Sequence, residues 1–397
     1  MRTSAPRVPR VCLLVCDSWG VGDAPDAAVY GDAGSDTLGN TARRVGGLEL
    51  PNLESLGLGF LTDIRGVVPR AEPGTAHGRA TEISAGKDTT TGHWEMMGIR
   101  LERPFPVYPG GFPREIVQPF ERAIGRRILG NVPASGTEII QALGEEHLRT
   151  GFPIVYTSGD SVFQIATHTD VVPLEQLYAW CRVARGLLTG EHNVGRVIAR
   201  PFRGRPGAFE RRPERRDFSV PPPGPTVLDL LNEAGVPVFG VGKIQDIFDR
   251  EGITDAVYSD SNDHGLDLTV EFLRKPGPAF VFSNLVDFDS KYGHRNDPSG
   301  YASAVGALDR RLPEVIEAVD EGVLLMTGDH GCDPTTPSTD HSRERTPLLA
   351  AGLSGGPYDV GTRGTFGDVG HTVAQLLGVE VDGLVGEGFA DLIGFRT

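Results

Sequence analysis

Apolar residues gather along this chain in short continuous runs at 11–16, 236–241, 279–286, 322–327 and 347–351. Runs of this length predict strands buried on both faces. Segments of helical character fall between and after them, at 226–235, 264–274, 300–319 and 368–377. Strand and helix in alternation predict an α/β fold: a doubly wound, mostly parallel sheet with helices on both faces. The middle of the chain reads differently. Strands are expected at 154–157 and 195–199 and helices at 114–123, 137–149 and 173–188, and the stretch closes on the stiff run Pro221-Pro-Pro-Gly-Pro225. The expected organisation is a discontinuous core, 1–103 plus 221–397, with a smaller α+β cap inserted at 104–220 and a binding cleft between them.

Chemistry collects where the apolar runs end. The first run stops at Asp17, the run at 279–286 opens into Asp287, Asp289 and His294, and the run at 322–327 leads to Asp329-His330-Gly331, with Asp340-His341 close behind. Ligands at the C-terminal ends of strands are what an open α/β sheet offers an active site. Aspartate and histidine together suit Zn²⁺ or Mn²⁺, whereas an all-oxygen set would suit Mg²⁺ or Ca²⁺. The expectation is a metal-dependent enzyme holding two ions.

Composition narrows the classes. A chain of 397 residues with 39% hydrophobic and 23% charged residues can bury a large core and suits two domains. The formal net charge of −15 argues against nucleic acid as a partner. Against that background, residues 182–216 carry ten arginines and three glutamates, and guanidinium groups bind phosphate in a bidentate fork. Lysine is scarce (Lys87, Lys243, Lys275, Lys291), so arginine also does ordinary surface work. No apolar stretch reaches the ~20 residues a membrane span needs. Arg2, Arg7 and Arg10 precede an apolar run of six residues that meets Asp17, which is not the pattern of a targeting segment. Four cysteines are too few for a disulfide framework, and a cytoplasmic setting is expected.

The segment Ser84-Ala-Gly-Lys-Asp-Thr-Thr-Thr-Gly-His-Trp-Glu-Met-Met97 lacks the Gly-x4-Gly-Lys-[Ser/Thr] spacing of a nucleotide-binding loop. It places hydroxyls just ahead of a helix, where the dipole and free N–H groups favour an alkoxide or a phosphoryl group. Thr89 or Thr91 could instead simply cap that helix. Two ions nearby would make a threonine oxygen an activated nucleophile.

These residues resemble the alkaline phosphatase superfamily and, within it, the bacterial phosphopentomutases. The likeness rests on Asp17, Gly86-Lys-Asp-Thr89-x-Thr-Gly-His-Trp-Glu95, Asp289-x4-His294, Asp329-His330-Gly331 and Asp340-His341. It extends to Pro-Ala-Ser-Gly-Thr-Glu at 133–138, Tyr-Thr-Ser-x-Asp-Ser at 156–161 and Gly-Arg-Val-Ile-Ala-Arg-Pro-Phe at 195–202. The resemblance implies two Mn²⁺ ions, one on Asp17, Asp329 and His330 and the other on Asp289, His294 and His341. It implies Thr89 as the phosphorylated residue, Ser158 and Asp160 as contacts to the sugar, and Arg196, Arg211 and Lys243 as contacts to the substrate phosphate. The implied reaction interconverts ribose 1-phosphate and ribose 5-phosphate, or their 2-deoxyribose equivalents, in nucleoside salvage. A sugar bisphosphate would serve as intermediate and primer. A small sugar phosphate is then the partner, with no nucleic acid or membrane, and a monomer is favoured. Cys332 departs from the pattern, which has asparagine after Asp-His-Gly.

Other residues read as structural. His93 and His168 suit hydrogen-bonded core positions, His371 a helix start, Asp287 a supporting position, and Trp94, Met96 and Met97 helix packing. A phosphohydrolase would share every core ligand and would release inorganic phosphate. A phosphoglycerate mutase would carry serine in place of Thr89 and a different insert.

Overall fold

The computed structural model describes residues 8–159 and 161–395. The chain divides into two compact units, one of residues 1–103 and 222–397 and the other of residues 104–221. In chain order the strands are β1 (Arg10–Cys16), β2 (Thr75–Ala80), β3 (Leu129–Pro133), β4 (Ile154–Thr157), β5 (Val162–His168), β6 (Arg196–Arg205) and β7 (Ala208–Arg211). They continue with β8 (Arg216–Ser219), β9 (Val238–Val241), β10 (Asp255–Val257), β11 (Ala279–Leu285), β12 (Val323–Thr327), β13 (Thr346–Ala351) and β14 (Tyr358–Arg363).

The larger unit is built on an eight-stranded sheet in the order β10-β9-β11-β1-β12-β13-β2-β14. Its pairings are parallel except where β13 meets β12 and β2, so β13 alone runs against the rest. β1 lies in the middle, with Cys16 opposite Leu285 and Val15 opposite Thr327. That central position explains why Val11–Cys16 is uninterruptedly apolar: both faces of the strand are covered. On one face Cys12, Leu14, Val281, Leu324 and Met326 pack with residues of the helices Thr37–Val45, Asn262–Leu273 and Pro298–Val319. Helices Thr89–Met96, Val227–Glu233 and Gly367–Leu376 form a second group that packs together. The expected mostly parallel α/β core is therefore what the chain forms. Helix starts follow local capping chemistry: Asp88, Asp297 and Ser261 each accept a backbone N–H of the first turn, and Thr226 with Asp229 closes a capping box.

The smaller unit is a six-stranded sheet, β3-β4-β5-β6-β7 with β8 paired to β6. Val155, Phe163, Ile165, Val197 and Ala199 pack against helices Arg114–Ile124 and Leu174–Leu187. Tyr156, Ala166, Phe202 and Phe209 pack against helix Gly136–Thr150. Among the described residues no helix is long and apolar enough to cross a membrane.

Candidate metal centre and nucleophile

Four neighbouring parallel strands, β9, β11, β1 and β12, deliver polar side chains at their C-terminal ends. Lys243 follows β9, Asp289 follows β11, Asp17 follows β1 directly, and Asp329 and His330 follow β12. His341 reaches the same place by a different device. Gly331 and Ser342 exchange two backbone hydrogen bonds, of 3.0 and 2.8 Å, which hold His330 and His341 side by side. Their ring centroids lie 4.0 Å apart, and that of His294 lies 4.7 Å from His341.

Donor atoms of Asp17, Asp329 and His330 all lie within 4.8 Å of one another. A second pair of clusters meets at Asp289, one with His330 and His341 and the other with His294 and Cys332, each within the same distance. The Asp289 carboxylate faces both remaining histidines, with Oδ2 3.3 Å from His294 Nε2 and Oδ1 3.5 Å from His341 Nε2. Asp17, Asp289, Asp329, His330 and His341 are buried, and His294 is partly so.

The donor set fits divalent cations. Asp17 Oδ1, Asp289 Oδ1, Asp329 Oδ2 and His341 Nε2 are buried and make no hydrogen bond among the described residues. Three buried carboxylates held that close would each cost several kcal/mol if uncompensated. Without ions, protons on the imidazoles take up part of that load. Burial alone would lower the pKa of His330, but Asp329 and Asp17 outweigh it and hold it at about 10. Burial likewise opposes the charge on Asp329, yet His330 and His93 keep it at about 2. His294, against burial, is pushed up to about 12 by Asp289 and Cys332.

Thr89 opens the helix Thr89–Met96, and its Oγ1 lies 3.2 Å from His330 Nε2. Thr91 is turned inward, where its backbone N–H and hydroxyl both donate to the Asp88 carboxylate. The two threonines left open by the sequence thus have different surroundings, and Thr89 is the one beside the candidate ligand cluster. Gly92 lets the helix come this close, since a Cβ there would fall 2.1 Å from the Asp329 carbonyl oxygen. The loop before it is anchored from two sides. Glu95 accepts the N–H groups of Ile83, Ser84 and Phe366, and buried Arg343 donates to the Gly86 carbonyl while pairing with Glu82 and Asp26.

Other residues support the cluster. His93 was expected at a hydrogen-bonded core position and holds one; its Nδ1 lies 2.8 Å from the Thr89 carbonyl oxygen and 3.3 Å from Asp329 Oδ2, so it braces the Thr89 segment and a candidate ligand together. Asn284 donates to Asp17 Oδ2 across 3.3 Å, although in the sequence it is only a polar interruption of an apolar run. Asp287 is held by Asn262 N–H and Lys291, outside the ligand clusters, as a supporting residue would be. Lys243 places Nζ 3.4 Å from Asp17 Oδ2, at the edge of the candidate ligand cluster.

In the smaller unit, Arg196 pairs with Asp217 at 3.5 Å, and Arg215 binds the same carboxylate through two nitrogens at 2.8 Å. Arg211 and the Tyr156 hydroxyl meet at Gly136, the first residue of the helix Gly136–Thr150; a Cβ on that glycine would fall 2.4 Å from each. Arg200 stands in the same group, its pKa lowered to about 10 by burial and by Arg215. Sequence reasoning passed over Arg200 and Arg215, although Arg200 lies inside the 195–202 motif. Ser158 is partly buried just after β4, and Asp160 lies outside the described residues.

Residues 9–381 match the model of the metalloenzyme superfamily. The chain is 60% identical to a phosphopentomutase of Anaeromyxobacter dehalogenans over 375 residues, covering 94% of this chain and 96% of that one. It is 57% identical to a phosphopentomutase of Carboxydothermus hydrogenoformans over 373 residues, covering 94% and 96%. A Leishmania mexicana phosphoglycerate mutase structure is similar in fold, with a TM-score of 0.50 at 14% identity over 97% of this chain and 98% of that one. With near-complete coverage at this identity, the chain belongs to the phosphopentomutase family of the metalloenzyme superfamily.

Proposed function

We propose that the protein is a phosphopentomutase that interconverts ribose 1-phosphate and ribose 5-phosphate, and the 2-deoxyribose equivalents, in the cytoplasm as part of nucleoside salvage. The observation that carries this reading is Thr89 Oγ1 at a helix N-terminus, 3.2 Å from His330 in a cluster of buried aspartates and histidines. Asp17, Asp329 and His330 would hold one ion, Mn²⁺ by preference, and Asp289, His294 and His341 the second. Such ions supply charge neutralisation on a transferring phosphoryl group and lower the pKa of a coordinated hydroxyl.

The residues then divide the work. Phosphorylated Thr89 gives its phosphoryl group to the free hydroxyl of the sugar phosphate. A new bond forms from phosphorus to the sugar oxygen, the bond from phosphorus to the Thr89 oxygen breaks, and the proton lost by the sugar hydroxyl ends on Thr89. The resulting bisphosphate returns its other phosphoryl group to Thr89 and leaves as the isomer. The positive end of the dipole of the helix that Thr89 opens favours the negative charge that develops there. Ser158 and Asp160 are assigned to the sugar, and Arg196, Arg211 and Lys243 to the phosphate that is not reacting. Holding that phosphate keeps the bisphosphate from being lost to water.

The test is an assay of ribose 1-phosphate and ribose 5-phosphate interconversion with Mn²⁺ and a trace of sugar bisphosphate. Isomerisation that depends on the primer supports the reading. Steady release of inorganic phosphate from ribose 5-phosphate without isomer would identify a phosphohydrolase instead.

A further inference from the structure

The turn that carries Asp17 is strained. Trp19 N–H donates to the Cys16 carbonyl at 3.0 Å, so Asp17 and Ser18 form the middle of a tight turn. Ser18 has a φ of 72°, a left-handed conformation that suits glycine and that serine, with its Cβ, keeps only where its surroundings hold it. Two of its polar atoms meet one hydroxyl. Tyr301, in the helix Pro298–Val319, donates to the Ser18 carbonyl at 3.0 Å and lies 3.2 Å from Ser18 Oγ. Both residues are fully buried, and the Tyr301 ring packs on Phe288 with centroids 5.8 Å apart. The effect reaches the neighbouring strand. Ser18 N–H donates to Asp329 Oδ1 at 3.0 Å, which leaves Asp329 Oδ2 3.4 Å from His330 Nε2, with Asp17 Oδ1 at 3.4 Å from the same nitrogen. Those two carboxylate oxygens are buried and make no hydrogen bond among the described residues. Gly328 lets the turn come this close, since a Cβ there would fall 2.3 Å from the Trp19 carbonyl oxygen.

We propose that Tyr301 is a positioning residue for the first ion: by holding Ser18 in its left-handed conformation it aims the Ser18 N–H at Asp329, and so sets the carboxylates of Asp17 and Asp329 as a pair. Tyr301 acts through Ser18 and is not itself a ligand. A group that orients a ligand acts on metal affinity as well as on stability. The inference rests on the proposed two-ion site, and its test separates the two.

Full-length protein is stripped with chelator and titrated with Mn²⁺, with free Mn²⁺ followed by electron paramagnetic resonance and bound metal counted by elemental analysis. Melting temperatures are read in chelator. Wild type should bind two ions. Tyr301→Phe keeps the ring and loses only the hydroxyl; it should lose about tenfold or more in affinity for one ion and leave the other unchanged. Ser18→Gly takes the left-handed conformation unaided, so it should stay close to wild type, and adding it to Tyr301→Phe should restore most of the lost affinity. A packing role alone would lower the melting temperature, with no preference between the ions and no rescue by glycine. The double variant decides by itself where the single one folds poorly: two ions bound with wild-type affinity support the positioning role, and a missing ion overturns it. Tyr301→Phe protein that binds both ions as wild type does, or that loses both equally without rescue, overturns the positioning role and leaves the two-ion reading standing. Wild-type protein that binds no ion overturns both.

Discussion

The two units meet charge in opposite ways. In the larger unit, acid and base are interleaved and buried: Asp17, Asp289 and Asp329 alternate with His294, His330 and His341 at the end of one sheet. In the smaller unit the charges are mostly of one sign and nearer to solvent, with Arg196, Arg200, Arg211 and Arg215 gathered near Tyr156 and Asp217. Buried donors fixed by strand ends suit chemistry that tolerates little displacement. Guanidinium groups that are at most partly buried suit recognition of a phosphate, to which each adds a separable part. The larger unit should therefore respond to substitution nearly all-or-none, and the smaller one by degrees.

The largest effect should come from Asp329→Asn. Asp329 accepts the Ser18 N–H at 3.0 Å and faces both His330 and His93, so the change removes the charge of a candidate ligand and leaves two imidazoles without their partner. Mutase turnover should fall more than about a hundredfold, and elemental analysis should find less than two ions per chain. Full metal content with near-normal turnover would break the comparison from the side of the larger unit.

Arg196→Ala and Arg200→Ala should cost less and more selectively. A charge-assisted hydrogen bond contributes ~1.5–3 kcal/mol, equivalent to roughly a tenfold to hundredfold loss in kcat/KM for ribose 5-phosphate. An activated aryl phosphate, having no second phosphate, should be hydrolysed about as fast as by the wild type. Equal losses on both substrates would place these arginines in the fold or at the reacting centre.

The smallest effect is on stability and pH. In metal-free protein His330 keeps its proton to about 10, against 6.5 for an ordinary imidazole. The folded chain thus binds a proton that the unfolded chain has lost between those values. That contribution is complete below pH 6.5 and is lost as pH rises through 10. The melting temperature in chelator should fall over this window, and His330→Asn should flatten the slope. A melting temperature that rose with pH would contradict the assignment.

How much of this was legible in sequence differs between the units for the same reason that their charges differ. Asp17, Asp289, Asp329 and His330 stand at the ends of apolar runs, and a run buried on both faces is the plainest strand signal a sequence carries. β2 and β14 were not expected, because Thr-Ala-His-Gly-Arg-Ala and Tyr-Asp-Val-Gly-Thr-Arg contain no such run. The grouping of the cap arginines was hidden too. It depends on the antiparallel pairing of β6 with β7 and β8, which sets Arg196 opposite Ser219 and Phe202 opposite Arg211. His93 was expected at a hydrogen-bonded core position, and it holds one; which groups it bridges could not be read, because Thr89 and Asp329 lie 240 residues apart in the chain.

The central claim is that Thr89 carries the phosphoryl group, and peptide mapping of the primed enzyme tests it most directly. Wild-type protein incubated with Mn²⁺ and a sugar bisphosphate should gain one phosphate, and fragmentation should place it on Thr89. Thr89→Ala should gain none, and its mutase turnover should fall by a factor on the order of 10³ or more, with the fold intact, since a hydroxyl at the start of a helix contributes only ~1 kcal/mol to stability. Phosphate on Thr91, or a Thr89→Ala enzyme that still isomerises ribose phosphates at most of the wild-type rate, would contradict the account.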